Sequence, residues 1–164
     1  MIWPFSRRKA TLPDLDDALW RQAAAGLPWL RLLDLDRDQR LRALVAEFLR
    51  DKAITPLQGL RLNQVQQFRL AMLCCLPLLE FGREGLHGWS QLLVYPQAFR
   101  VQRNHMDAQG VLHEWDDELI GEAWEQGPVI LSWADVRAEI AAPGDGFCVV
   151  WHEVAHKLEG VEGA

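Results

Sequence analysis

The feature that constrains this chain most is the order His-Glu-x-x-His at residues 152–156. Histidines four positions apart share a face only when the backbone is α-helical, so the spacing predicts a helix over residues 147–159. A helix that packs against a core also needs an apolar face. The segment supplies that face at helical spacing with Val150, Trp151, Val154, Ala155 and Leu158. We therefore expect a helix that is buried along one side and presents its histidines on another.

This spacing is typical of zinc-binding helices. The imidazoles of His152 and His156 can bind the same Zn²⁺, and the carboxylate of Glu153 can act as a general base on water. The reaction class that uses these three groups is metal-assisted hydrolysis of a peptide bond. The alternative interpretation is an ordinary amphipathic helix with two solvated histidines.

The motif supplies one protein ligand fewer than a catalytic zinc site usually has. A catalytic zinc usually has three protein ligands and one water, and His152 with His156 supplies only two. Glu159 lies on the same helical face, but about one turn beyond the plane of a metal held between the histidines. We therefore expect Glu159 to hydrogen-bond His156 rather than to bind zinc directly.

Other polar residues have weaker claims to a site. No spacing argument relates His105 or His113 to the motif, and we expect both at the surface, together with His87 beside Gly88. The acidic run at 114–118 is interpreted as a solvated loop. The alternative is that this run attracts a peptide amino terminus or a second cation.

Composition narrows the classes of function. The 164 residues carry a net charge of −6 and one compact basic run, Arg7-Arg8-Lys9, so direct nucleic-acid binding is not expected. The longest apolar run, Leu70–Leu79, is far shorter than the roughly 20 residues of a membrane span and should belong to the core. Three cysteines do not make a disulfide framework, and the N-terminal segment lacks a signal-peptide pattern. We therefore expect a cytoplasmic protein that does not bind membranes.

The sequence predicts a single α+β domain. Its expected parts are a flexible tail at 1–12, a mainly helical part at 13–81, a mixed part at 82–146 and the zinc-binding helix at 147–159. Helices should begin near Pro13, Asp36 and Asn63, the second with a capping box at 36–39. Short strands are expected at 92–95, 99–101, 111–115 and 129–132.

Several further motifs accompany the helix in a fixed order. They are Pro56-Leu57-Gln58-Gly59, Cys75-Leu76-Pro77-Leu78-Leu79-Glu80, Tyr95-Pro96, Glu125-Gln126-Gly127-Pro128-Val129-Ile130-Leu131-Ser132-Trp133 and His152-Glu153-Val154-Ala155-His156-Lys157-Leu158. Together they resemble the Mlc titration factor A family of bacterial zinc metallopeptidases. The resemblance runs from Trp3-Pro4 to nearly the last residue.

The resemblance implies a zincin-like α+β fold, with an N-terminal helical part and a small mixed sheet before the motif helix. It implies Zn²⁺ as cofactor, a peptide as substrate, and binding of the glucose repressor Mlc, which modulates sugar-phosphotransferase gene expression. Carried over to this chain, His152 and His156 are zinc ligands and Glu153 is the general base. The family's third ligand is a glutamate on a later helix, so here it is expected beyond Ala164. Glu159 stands where the family more often has aspartate.

An alternative from another class is a repressor-binding module that lacks the third ligand and is catalytically incomplete. In that case the helices at 36–51 and 63–76 could offer the docking face. A related expectation is that the chain is truncated within its domain and is a fragment of a longer protein. For the peptidase, the strand at 129–132 is a candidate platform on which an extended substrate pairs, and an internal strand without an exposed edge is the alternative.

Overall fold

The structure, a computed structural model, describes residues 15–97, 127–142 and 148–162, and for 160–162 it describes the backbone alone. Several expectations lie outside the described residues. They are the tail at 1–12, the strands at 99–101 and 111–115, His105, His113 and the acidic run at 114–118.

Three helices form most of the first half: α1 (Asp17–Ala25), α2 (Leu35–Asp51) and α3 (Gln64–Cys75). All three were expected, but the predicted cap of α2 is wrong. The side chain of Asp34, not Asp36, accepts the hydrogen bond from the backbone N–H of Arg37. Asp36 is the second residue of the helix and instead forms an ion pair with Arg40. Several aspartates are close together here, and only the backbone geometry selects the capping one.

The helix α3 starts after Asn63, as predicted, but it also begins with a capping box, which was expected on α2 instead. The side chain of Asn63 accepts from the N–H of Gln66 at 2.9 Å, and the side chain of Gln66 accepts from the N–H of Asn63 at 2.8 Å. Both bonds satisfy backbone donors that the first helical turn cannot pair internally. The helix then ends at Cys75, before Pro77, in a short 3-10 turn at Leu76–Leu78.

Asn63→Ala should lower the free energy of unfolding by about 1 kcal/mol, because the cap is lost while α3 stays packed. Urea unfolding followed by circular dichroism measures this difference. Asn63→Asp, which keeps an acceptor at the same place, is the matched control and should unfold near the wild-type midpoint. Equal stability of the alanine variant and the wild type would contradict the assigned role of the cap.

The described strands form one parallel sheet in the order β1 (Ala53–Pro56), β2 (Gln91–Tyr95) and β3 (Val129–Ser132). The strands predicted at 92–95 and 129–132 are confirmed. The expected mixed sheet is corrected for this part of the chain, since both described pairings are parallel. Parallel neighbours need a long crossover, and α3 lies in the connection between β1 and β2.

The strand β1 lies in the segment that was expected to be mainly helical. It is four residues long and ends in Pro56, and its residues are half-buried in the middle and exposed at both ends. Such a strand shows no apolar alternation, which is the signal that identifies strands from sequence. Its pairing with β2, from Ala53 opposite Gln91 to Pro56 opposite Val94, comes from the tertiary fold.

Two helices follow the sheet: α4 (Trp133–Ala141), which starts directly after β3, and α5 (Val149–Glu162). The second is the motif helix, which was predicted over residues 147–159. One continuous apolar cluster joins α5 to the N-terminal helices and the sheet. Its largest fully buried members include Phe48, Leu70, Met72, Leu92, Val136 and Val150. Of the helices in the described ranges, none is long and apolar enough to cross a membrane.

Candidate metal site

The helix α5 has the two-sided character that the sequence predicted, except that Ala155, expected on the apolar face, is exposed. Val150 and Val154 are fully buried, whereas His152 and His156 are exposed. On the buried side, the ring of Trp151 packs edge-on against Trp29 with their centroids 6.2 Å apart. Apolar packing therefore buries this side of the helix and leaves the two histidines on the outward side.

The two imidazoles converge. Nε2 of His152 lies 3.1 Å from Nε2 of His156, and the ring planes are nearly perpendicular, at 89°. Two nitrogens that bind one tetrahedral zinc at about 2.0–2.1 Å are about 3.3 Å apart. The observed separation is therefore close to that of two ligands on one ion, and the pair fits zinc in both donor type and spacing.

Glu159 contacts the far side of the same pair. Its Oε2 lies 3.4 Å from Nδ1 of His156, the ring nitrogen opposite the one that faces His152. An N–H on Nδ1 that donates to this carboxylate leaves the lone pair of Nε2 directed at His152. The Glu159 side chain is 78% exposed, so this contact can orient the ring but adds little to folding stability.

The other candidate residues do not join this cluster in the described part of the chain. Glu153 is half-buried on α5 between the histidines, and His87 is exposed in the turn after a short 3-10 helix at Gly82–Leu86. Among the described residues, no three His, Cys, Asp or Glu side chains come together as a metal-binding group. Here, therefore, the site consists of a histidine pair.

The cysteines belong to the core, as expected. All three thiols are free, and Cys74 and Cys75 are fully buried. Cys148 lies just before α5, where burial raises the pKa of its thiol to about 11. This thiol is therefore protonated at neutral pH, which argues against a reactive thiolate beside the histidines.

Two contacts that hold α5 in place were not predicted. Oε1 of Glu139, on α4, accepts from the N–H of Val149 at 2.6 Å. Nζ of Lys157 donates to the carbonyl oxygen of Gly127 at 2.9 Å, and Lys157 is only 9% exposed. Helical spacing could have identified Lys157, since it continues the buried stripe of Val150 and Val154 at the next turn. We find no comparable sequence signal for Glu139.

The chain is similar to proteins of known family. Residues 3–164 match the family described as Glucose-regulated metallo-peptidase M90. Mlc titration factor A of Escherichia fergusonii is 40% identical over 157 residues, which are 96% of this chain and 57% of that protein. The protein of the same name from Enterobacter sp. strain 638 is 40% identical over 159 residues, with the same coverage. That of Klebsiella pneumoniae strain 342 is 42% identical over 144 residues, 88% of this chain and 53% of the relative. This chain thus spans little more than half the length of these relatives.

Proposed function

This chain belongs to the family of glucose-regulated metallo-peptidases M90, and on that premise we propose that it is a zinc-dependent peptidase with a zincin-like site on α5. The observation that carries the proposal is the approach of the two Nε2 atoms of His152 and His156 to 3.1 Å. The same distance also suits a hydrogen bond between the two imidazoles, so the order of the motif and the family membership support zinc beside it. Residues 1–164 are proposed to form one domain around this helix, in a cytoplasmic protein.

In this proposal His152 and His156 bind the metal, and Glu153 is the general base. Zinc bound there would supply Lewis-acid chemistry, polarising the peptide carbonyl and bringing the pKa of water near 7. Glu153 takes the proton from the attacking water and passes it to the nitrogen of the leaving amine. Glu153 is half-buried on α5, so part of its surface stays open to water and substrate.

Glu159 is proposed to orient His156. Its contact with Nδ1 supports this role, because carboxylates commonly hold ligand histidines through the nitrogen that does not bind metal. The third zinc ligand is proposed to lie outside the described residues, as a glutamate after Ala164. The resemblance to the family supports that choice.

The substrate is proposed to be an extended peptide that pairs with β3. This strand pairs with β2 on one side and is the last strand of the sheet among the described residues. Gly127 lies two residues before this strand, and its carbonyl oxygen accepts a hydrogen bond from Lys157 on the motif helix. One end of β3 is therefore held next to the helix that carries the histidines. Backbone pairing would supply affinity, and side-chain pockets would supply specificity.

Zinc content and zinc-dependent hydrolysis test the peptidase proposal together. We expect about one zinc per chain, by elemental analysis, in a dialysed protein that extends past Ala164 and so includes the proposed third ligand. We also expect hydrolysis of unstructured peptides that stops when a chelator removes the metal and returns when zinc is added. A zinc-loaded protein that cleaves no peptide would contradict the peptidase assignment, and a protein that retains no zinc would contradict the metal site.

A second candidate function is binding of a Mlc-type transcriptional repressor, with or without catalysis. Two observations favour it. The relatives at about 40% identity carry the name Mlc titration factor A. Among the described residues, no third His, Cys, Asp or Glu side chain joins the pair of His152 and His156 as a metal-binding group. Repressor binding should not depend on the histidines, whereas peptide hydrolysis should, so loss of His152 separates the two functions.

A further inference from the structure

We infer that Lys157 and Glu139 are positioning residues that hold α5 at two points and thereby set where the histidine pair lies. The expected effect of these residues on metal binding rests on the proposed zinc site. Its structural content, the location of the two imidazoles relative to the sheet, does not require that the protein hydrolyse peptides.

Lys157 is an unusual residue for its place on the helix. It continues the buried stripe of Val150 and Val154, and it is 9% exposed. Placing an ammonium group there costs free energy unless the charge is hydrogen-bonded, and an apolar side chain would fill the stripe without that cost. Packing alone therefore does not explain a lysine. Its bond to the carbonyl of Gly127 gives the residue a directional role, because this bond fixes both the rotation and the height of the helix beside β3.

Glu139 holds the opposite end of the same helix. Its Oε1 accepts from the N–H of Val149, a donor that the first turn of a helix cannot pair internally. The negative carboxylate also lies at the positive end of the helix dipole. Gly127 lies two residues before β3, and α4 starts directly after β3, so Gly127 and Glu139 lie on one continuous segment that contains both elements.

The two contacts bracket the histidines. Val149 and Lys157 are eight positions apart, about 12 Å along a helix, and both His152 and His156 lie between them. Two attachment points on one segment oppose sliding and turning of the helix. The apolar stripe alone permits such small shifts, because apolar contacts have little directional preference. Loss of either contact should therefore move the imidazoles without unfolding the protein.

Zinc affinity measured by competition with a chromophoric chelator tests this inference. We expect Lys157→Met to weaken zinc binding by about tenfold or more, the range seen when groups that orient metal ligands are removed. Lys157→Arg, which keeps a cation able to donate, should recover most of the affinity. Glu139→Leu removes the contact at the other end of α5 and should weaken zinc binding in the same way. This variant tests the inference if the Lys157 variant does not fold.

Lys52 offers a matched control. It is equally buried, at 8% exposed, and its Nζ donates to the backbone carbonyls of Leu86 and Trp89, outside α5. Lys52→Met should therefore lower the unfolding midpoint as Lys157→Met does, while zinc affinity stays at the wild-type value. Equal weakening of zinc binding by both variants would mean that general destabilisation is responsible, and would overturn the inference.

A second readout does not need zinc. The imidazole Hε1 chemical shifts of His152 and His156 in the chelator-treated protein report the packing of the two rings, whose centroids are 4.6 Å apart. We expect Lys157→Met to change both shifts and Lys52→Met to leave them in place. Unchanged shifts and unchanged zinc affinity in a folded Lys157→Met protein would overturn the inference. If the wild type retains no zinc, the Hε1 chemical shifts alone test the inference. Zinc binding that weakens as expected in a protein that cleaves no peptide would support the positioning role and contradict the peptidase.

Discussion

Glu153→Gln should reduce peptide hydrolysis by about 10²–10⁴-fold, the range expected when a general base is lost, while the protein keeps its zinc. Glutamine has nearly the same shape as glutamate, but its amide cannot take a proton from the attacking water. The metal should remain because the histidine pair is unchanged. The measurements are kcat on a fluorogenic peptide and zinc per chain by elemental analysis.

Glu80→Gln is a suitable control for this experiment. Glu80 is also a glutamate, and it is exposed in the turn after α3, on a different element from the motif. Its replacement should leave both kcat and zinc content at wild-type values. A Glu153→Gln protein that hydrolyses peptides at the native rate would remove Glu153 from the mechanism, and with it the proposed role of the motif.

The second large effect is loss of metal. His152→Ala and His156→Ala should each bring zinc from about one per chain to near zero after dialysis, because one remaining histidine cannot hold the ion with an incomplete ligand set. Hydrolysis should fall with the metal. His87→Ala is the matched control, since His87 is also exposed but lies in the turn after the 3-10 helix at Gly82–Leu86.

The same histidine variants distinguish the two candidate functions. A pull-down with a Mlc-type repressor should recover His152→Ala as well as the wild type if the docking surface is separate from the metal site. Retained zinc in His152→Ala, or equal loss in His87→Ala, would contradict the assignment of the ligands. Loss of repressor binding together with zinc would mean that the two functions share one surface.

Much of the helical structure could be predicted because its signals are local. The capping box at Asn63 uses residues three positions apart, and the spacing of the apolar residues in α3 and α5 follows from the helical repeat. The cap of α2 was placed two residues too late because Asp34, Asp36 and Asp38 are equally suitable by residue type. Only the extended backbone at Asp34 makes it the cap.

The sheet could be predicted only in part. The strands β2 and β3 contain the buried pairs Leu92 with Val94 and Val129 with Leu131, so their apolar alternation is visible in sequence. The strand β1 lacks such a pattern and exists because β2 pairs with it. Parallel pairing joins segments that are far apart in sequence and linked by a long crossover, so no local sequence pattern encodes it.

For the site, the sequence by itself determined that α5 is a helix and that His152, His156 and Glu159 share one of its faces. These follow from helical geometry over a few residues. The tertiary structure decided how the rings meet, with Nε2 facing Nε2, and where the helix is held. Gly127 is 30 residues from Lys157, and Glu139 is 10 from Val149. Contacts over such separations form only when the segment that contains β3 and α4 packs against α5, so the spacing of residues could not reveal them.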